Sequence, residues 1–521
     1  MLKNIKQVTI VGGGSAGWMA ASMFVRTFPE WSINLIESPD YPIVGVGEST
    51  LLSIREFFYY LGFSEDEQHD IMRATDASYK MSIKFTDFYE KDAGGFHYPF
   101  GKPVTFSDDA LKDWTEKKAI FPDTPVTDFV NCHFPSSYLF ENNKFSTNYN
   151  GDFLNFNPEK DCSYHFDATK LGQWLKNNYC IPRGLNLIAD TVDYVETDDS
   201  GVRQLILKSG KTLQSDLYVD CTGFKSLLLS QTLQSPFTSF EDILPNNRAW
   251  AVHLPYNDKE KELEGFTNST AIGNGWCWNI PLWSRIGTGY VYSDSYISPE
   301  DAKEEFKQYL MSDKVVIPRT RDEVESLVYR DIQMRVGMHK ESFYKNVVGI
   351  GLAAGFIEPL ESNGLLTVHY NLFKLMRCLS RGTVTQFDRD GYNRIVYNNT
   401  RGFAEFVAMH YALSIRDDTD YWRSIAHKKF EEGSEIENIV ERKYISGDLH
   451  LTEGTTYITV GMHYQGYDNI MRQSDEFWET NDSDKDIYQV INLMEKAKKE
   501  WKTASDKAPT LYKYLRDNIH I

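Results

Sequence analysis

Val8-Thr9-Ile10-Val11-Gly12-Gly13-Gly14-Ser15-Ala16-Gly17 stands near the start of the chain. Residues 7–11 are apolar and β-branched, as a buried parallel strand requires. Three of the glycines keep the G-x-G-x-x-G spacing. Gly12 permits a tight turn, Gly14 has no Cβ to obstruct a diphosphate, and Gly17 lets the next helix pack close to the strand. Ser15 and Ala16 fall where that helix begins, with its N-terminus aimed at the phosphates. Residues 18–26 read as the helix. A second strand, residues 32–36, ends in Glu37, about twenty residues past the last glycine, where an acid is expected for ribose hydroxyls. Strand, glycines, helix and acid in this order predict a dinucleotide site.

Further along, residues 192–195, 202–207 and 213–220 read as a three-strand meander leading back into the sheet, followed by Cys221-Thr222-Gly223-Phe224. That order resembles FAD-dependent monooxygenases, in which the backbone near Val192 meets the adenine and the Thr-Gly turn returns to the cofactor. A plain sheet and hairpin would give the same pattern. The expected fold class is α/β, a FAD-binding Rossmann-like monooxygenase fold of the glutathione-reductase type, with a mainly helical C-terminal substrate subdomain. The expected division is 1–388 for the FAD-binding part, discontinuous and carrying substrate-side insertions at about 86–150 and 240–335, and 389–521 for the helical part. Residues 86–150, rich in aromatics, Asp, Asn, Gly and Pro, read as long surface loops. Residues 398–417, 420–441 and 486–504 read as helices.

The 521 residues suffice for about two to four domain-sized units. A formal charge of −19 argues against nucleic acid and anionic membranes as partners. It leaves room for a small anion site, because backbone amides and helix ends act locally. The six cysteines form no C-x-x-C pair and the twelve histidines no H-E-x-x-H, so no metal site is expected. A reduced, cytoplasmic protein is the simplest expectation. No signal peptide fits before the first strand, and no eighteen-residue apolar run is present.

Trp276-Cys277-Trp278-Asn279-Ile280-Pro281 changes the reading. Two indoles two residues apart on a strand face one side and make a bulky apolar wall. The string looks like the W-x-W-x-I-P signature of flavin-dependent halogenases. Gly355-Phe356-Ile357-Glu358-Pro359-Leu360-Glu361-Ser362-Asn363-Gly364 resembles that family's F-x-x-P-x-x-S-x-G segment, with Asn363 where many members have Thr. Ser78-Tyr79-Lys80-Met81-Ser82-Ile83-Lys84-Phe85 resembles the segment of its active lysine, and the spacing of five before Phe selects Lys80 over Lys84. Gly45-Val46-Gly47-Glu48-Ser49-Thr50 resembles the strap over the flavin, although Leu51-Leu52 replaces the usual Ile-Pro.

The resemblance, to the tryptophan/indole halogenase family over roughly residues 1–400, implies roles. Lys80 and Glu361 would be catalytic. Gly12, Gly14, Ser15, Ala16, Gly17, Glu37, Val46, Gly47, Glu48, Val192 and Leu352 would bind FAD. The amides of Asn363 and Gly364 would hold a halide, since N–H groups at a helix start point outward unpaired. His97, Trp276, Trp278, Tyr467, Phe477 and Trp478 would lie on the substrate side. FADH2 from a separate reductase, oxygen, and chloride, bromide or iodide would give hypohalous acid, and a free indole or phenol would be halogenated. Lys80 would orient the oxidant or form an N-haloamine, and Glu361 would accept the ring proton. Free-tryptophan members carry a Tyr pair and a Glu ahead of Phe-Trp, whereas this chain has Gly466-Tyr467 and Gln473. An uncharged Gln cannot grip an ammonium group, so free tryptophan is expected to be a poor substrate. An aromatic hydroxylase, a non-catalytic flavin-binding protein and a homo-oligomeric state all stay open at this level.

Overall fold

The computed structural model describes residues 1–40, 48–107, 109–147, 153, 156–426, 430, 432–440, 453–464 and 487–521. The expectations for Val46, Gly47, Gly466, Tyr467, Gln473, Phe477 and Trp478 lie outside the described residues. The chain forms two compact units: Met1–Ala77, Tyr164–Ala249 and Asp331–Ala404 make the first, Ser78–Ser163, Trp250–Arg330 and Glu405–Ile521 the second.

In the first unit Gln7–Val11 is central. Its six-stranded sheet runs Phe343–Tyr344, Val347–Gly349, Leu217–Asp220, Gln7–Val11, Ser32–Glu37, Asn186–Ala189. The last five strands are parallel, and both faces are therefore covered. The helix Ser15–Thr27 lies on one face, packed against Gly364–Leu379 and Ser53–Leu61. On the other, the small sheet of Val192–Asp198, Gly201–Leu207 and Thr212–Leu213 packs Val202, Leu205 and Leu207 around Val11, Ile36 and Tyr218. The meander and the return strand stand where the sequence expects them. Four connections leave the carboxyl edge of this sheet, at Gly12, Glu37, Cys221 and Ile350, which is where open α/β sheets bind ligands.

The second unit is organised on a mixed sheet in which Ile286–Tyr292, Gly275–Pro281, Phe266–Ile272, Ser82–Thr86 and Gly95–Pro99 are successive neighbours. Phe266–Ile272 and Ser82–Thr86 run parallel, and the other pairings are antiparallel. The helix Pro299–Met311 covers Cys277, Tyr290 and Tyr292 on one face. Helix Ile487–Lys507 is pinned by charge: Lys117 Nζ lies 2.6 Å from both Asp128 and Glu495, and Lys498 Nζ 2.5 Å from Asp128. Asp128, Cys132 and Glu495 could together face a cation, but two ammonium groups already neutralise the carboxylates there. Among the described residues no helix is long and apolar enough to cross a membrane.

Residues 86–150, expected as loops, contain the strand Gly95–Pro99 and the helices Ala110–Ile120, Thr127–His133 and Ser137–Phe140. Their periodicity is weak because Ala110–Ile120 buries Asp113, Glu116 and Lys117, so its inward face is not apolar. Asp113 accepts the Phe106 N–H at 2.8 Å, which holds the preceding loop to the helix. The helix Gln386–Ala412 starts before the expected residue 398 and runs through the expected boundary at 388/389. Its start is fixed by reciprocal bonds between Thr385 and Asp388, a capping signal at the Thr385-Gln386-Phe387-Asp388 step.

An added Cβ on Gly17 would lie 1.9 Å from the Gly12 carbonyl oxygen. Gly17→Ala is therefore expected to destabilise the protein by about 1–3 kcal/mol, read as a lowered Tm. An unchanged Tm would show that the loop yields and that close packing is not its constraint.

Candidate active site

The glycine turn is shaped by backbone crowding on one side and open space on the other. Gly12 has φ +115°, in the region that favours glycine. A Cβ there would meet the Cys221 carbonyl oxygen at 2.3 Å, whereas one on Gly14 would meet nothing within 4 Å. Gly14 is the N-cap of helix Ser15–Thr27, which carries no acidic residue in its first turn. No acid of the helix's own first turn competes for its amides, and the open side at Gly14 leaves room for a diphosphate. Ala16 is the near neighbour of Gly351, and beside it Leu352 is 38% exposed, a bare apolar surface at the same edge. Glu37 receives Lys176 Nζ at 2.5 Å and the Trp18 indole N–H at 3.4 Å, so the fingerprint acid is held by an ion pair. Val192 begins its strand next to Thr191, whose hydroxyl bonds Ser38 at 2.6 Å. These residues fit a flavin dinucleotide.

The same unit builds a tight turn at 358–364. Pro359–Glu361 forms one helical turn, Ser362 turns left-handed at φ +57°, and the helix Gly364–Leu379 begins. Ser362 is held there by Ser49, whose hydroxyl lies 2.8 Å away. The end of the strap is thereby tied to the turn. Glu361 and Asn363 are both buried. The Asn363 side chain does not cap the helix, and neither of its amide atoms has a hydrogen-bond partner. Buried polar atoms in this state favour a ligand at the turn. An added Cβ on Gly364 would lie 3.9 Å from Glu48 Oε2. Burial, aided by the nearby Asp167 charge, pushes the Glu48 carboxyl up to about 7.

In the second unit, Lys80 ends the strand Ser78–Lys80 and is fully buried. Its Nζ lies 5.1 Å from the centre of the Phe100 ring. The Ser78 hydroxyl donates to the Pro281 carbonyl at 2.5 Å, which joins the lysine strand to the end of the tryptophan strand. Trp276 and Trp278 stand edge to face, 6.3 Å apart, both buried and with neither indole N–H bonded. Trp278 fits because Gly289 has no side chain: a Cβ there would fall 2.2 Å from the indole.

His97 lies on the opposite face of the sheet from the two tryptophans. Sequence grouped it with the two tryptophans. The strand register pairs His97 with Lys84, Lys84 with Asn268, and Asn268 with Asn279. His97 therefore shares the face of Asn279, and the tryptophans occupy the other. There it is buried, bonds Ser82 at 2.9 Å and packs on Phe140 and Phe266. Burial, then the Lys84 charge, holds its imidazole well below its ordinary range.

Two site residues escape the sequence reading, and a third shows there only in part. Phe100 beside Lys80 carries a pattern signal only in Tyr98-Pro99-Phe100, an aromatic pair around a strand-ending proline. Asp220 ends the strand Leu217–Asp220 and accepts the N–H groups of Thr222, Leu228 and Leu229 at 2.7–3.0 Å. An acid closing an apolar strand ahead of Thr-Gly was its visible sign. Ser362 was counted as a motif match, but its left-handed turn was invisible.

The family model for tryptophan halogenases matches residues 7–505. The chain belongs to the tryptophan halogenase family. This halogenase is 35% identical over 442 residues to tryptophan 6-halogenase SttH of Streptomyces toxytricini, with 81% of each chain covered. It is 30% identical over 449 residues to tryptophan 7-halogenase RebH of Lentzea aerocolonigenes, covering 83% of this chain and 81% of that one. Among solved structures, VirX1 in its apo form gives a TM-score of 0.89 at 34% identity, over 99% of this chain and 100% of the other. The SttH crystal structure gives 0.83 at 30%, over 98% and 99%. The expected α/β flavin fold with a substantial helical part is thus the halogenase's fold, and the chain is a flavin-dependent enzyme.

The Glu48 carboxyl yields a pH prediction. Its folded value of about 7 lies above the ordinary 4.5, so the folded state binds the proton more tightly. Stability is then lost as pH rises from about 4.5 through about 7, by roughly 1–3 kcal/mol. Flavin-free Glu48→Gln protein is expected to exceed the parent in stability at about pH 8, with the gap closing near pH 4.5. Equal denaturant midpoints at the higher pH would refute the burial argument.

Proposed function

We propose that this halogenase uses FADH2 from a separate reductase, oxygen and a halide to halogenate a free electron-rich aromatic such as an indole or phenol. A single dinucleotide fingerprint supports the separate reductase. Bound reduced flavin, with oxygen and halide, supplies the electrophilic halogen as hypohalous acid. The observation that carries the reading is the buried Lys80 on a strand bonded to the end of the Trp276–Pro281 signature.

Each residue then has a task. Gly12, Gly14, Ser15, Ala16 and Gly17 cradle the diphosphate, with Glu37, Val192 and Leu352 lining the rest of the cofactor. The amides of Asn363 and Gly364 hold the halide. Trp276 and Trp278 keep the organic substrate from the flavin, which disfavours hydroxylation. Lys80, with three N–H donors, presents the halogen to the ring. Glu361 takes the ring proton as general base. Phe100 shields the Lys80 ammonium from water and sharpens its hydrogen bonding.

Lys80→Ala is expected to abolish halogenation while FAD still binds. Product mass and flavin retention are the measurements, and full turnover by the variant with supplied FADH2 would remove Lys80 from the chemistry.

The substrate proposal rests on the incomplete amino-acid clamp at Gly466 and Gln473. Without a clamp, ring nucleophilicity directs the halogen to indole C3 or to the ortho and para positions of phenols. A screen of indoles, phenols and tryptophan with chloride, bromide and iodide checks this. Efficient conversion of free tryptophan at one benzo carbon would overturn it.

A further inference from the structure

The helix Leu511–Asn518 is remote in sequence from every residue given a task above, yet its side chains reach Tyr79 on the lysine strand and Trp283, two residues past the end of the tryptophan strand. The residues before it are bonded to residues 143–145: Phe145 N–H donates to the Pro509 carbonyl at 3.1 Å, and Leu511 N–H to that of Asn143 at 2.7 Å. The Thr510 hydroxyl caps the helix and bonds Glu260 at 2.9 Å. Leu511, Leu515 and Ile519 are fully buried, so the helix is packed down rather than laid on the surface.

Two aromatic columns rise from this anchor. In the first, Tyr514 meets Phe145 at 4.6 Å between ring centres, and Phe145 stacks on Tyr79 at 4.5 Å and 12°. Tyr514 also reaches Tyr79 itself, at 6.2 Å. In the second, Trp283 stacks on His520 at 4.4 Å and 3° and on Tyr512 at 5.7 Å. Lys259 Nζ lies over that indole, 3.2 Å from its ring centre. Trp283 lies two residues past Pro281, whose carbonyl receives the Ser78 hydroxyl.

Tyr79 and Lys80 are successive residues of one short strand, so their side chains leave on opposite sides. Holding the Tyr79 ring therefore fixes the strand's rotation and with it the direction of Lys80. Holding Trp283 fixes the carbonyl to which the start of the same strand is bonded. Lys80 is gripped from behind and from its N-terminal side, and both grips trace to residues 510–520.

We propose that Tyr514 is a positioning residue for Lys80, acting through the Phe145–Tyr79 stack, with Trp283 and His520 as its second support. The proposal rests on the reading of Lys80 as the acting lysine. Tyr514 touches neither substrate nor cofactor in this role; it sets the aim of the group that does.

The test compares Tyr514→Ala, Tyr514→Phe, Lys80→Ala and Val324→Ala in the full chain with supplied FADH2. Val324 is a buried core residue of the helix Arg321–Ser326 and serves as the control for lost stability. The readouts are KM and kcat on indole, FADH2 oxidation, the halogenated product formed per FADH2 consumed, and Tm. A misaimed lysine should lower kcat and coupling by roughly tenfold or more in Tyr514→Ala. KM and FADH2 oxidation should stay near the parent, and Tyr514→Phe, which keeps the ring, should restore coupling. Parent-like coupling in Tyr514→Ala beside an inactive Lys80→Ala would overturn the positioning role alone. An active Lys80→Ala would overturn the Lys80 reading together with this proposal. Equal uncoupling in Val324→Ala at matched Tm would assign the effect to general destabilisation and overturn it as well.

Discussion

At the carboxyl edge of the parallel sheet, backbone has come so close to backbone that no side chain fits. The Gly17 position is filled by the Gly12 carbonyl and the Gly12 position by that of Cys221. This crowding sets the helix Ser15–Thr27 directly against the strand it follows and leaves its first amides exposed beside the open Gly14. The neighbouring strands deliver the rest. Glu37, the turn after Asp220, and the Gly351 step against Ala16 all leave the sheet at the same edge. The proposed cofactor cradle is thus a consequence of where parallel strands end, with glycine supplying the clearance.

The second unit solves a different problem. It must carry a buried lysine and two large indoles on strands that neighbour each other or are bonded end to end. Alternation across the pleat separates the jobs: Trp276 and Trp278 go to one face, while Cys277, with Tyr290 and Tyr292, packs under the helix Pro299–Met311. Lys84 and His97 go to that second face as well. The two faces keep different company.

Charge is buried sparingly and mostly in company. Arg319 pairs with Glu262 where both are almost wholly enclosed, and breaking such a pair costs about 3–5 kcal/mol. Asp220, raised by burial, is surrounded by the amides it accepts. Lys117 and Lys498 share Asp128 and Glu495, which fastens the helix Ile487–Lys507 to the unit. The ion pairs fasten elements together, and Asp220 holds the turn at the carboxyl edge of its strand. Glu48 differs: burial raises its carboxyl beside the Gly364 helix start, where a ligand is expected.

The sequence determined what short-range geometry dictates. Glycine spacing, the Trp-x-Trp alternation, the helix that begins at Gly364 and the return strand before Thr222 each depend on a few adjacent residues, so their residue types reveal them. Only the tertiary structure decided which face His97 takes, because one residue of register sends a side chain to the opposite side. It also decided that residues 95–99 and 110–120 form a strand and a helix, since Lys117 of the helix Ala110–Ile120 finds Glu495 far along the chain. That Tyr514 stands behind Lys80 was equally hidden. Nothing in a lone tyrosine near residue 514 names Phe145 and Tyr79 as its neighbours, because such contacts are set by the packing of whole elements and leave no local pattern.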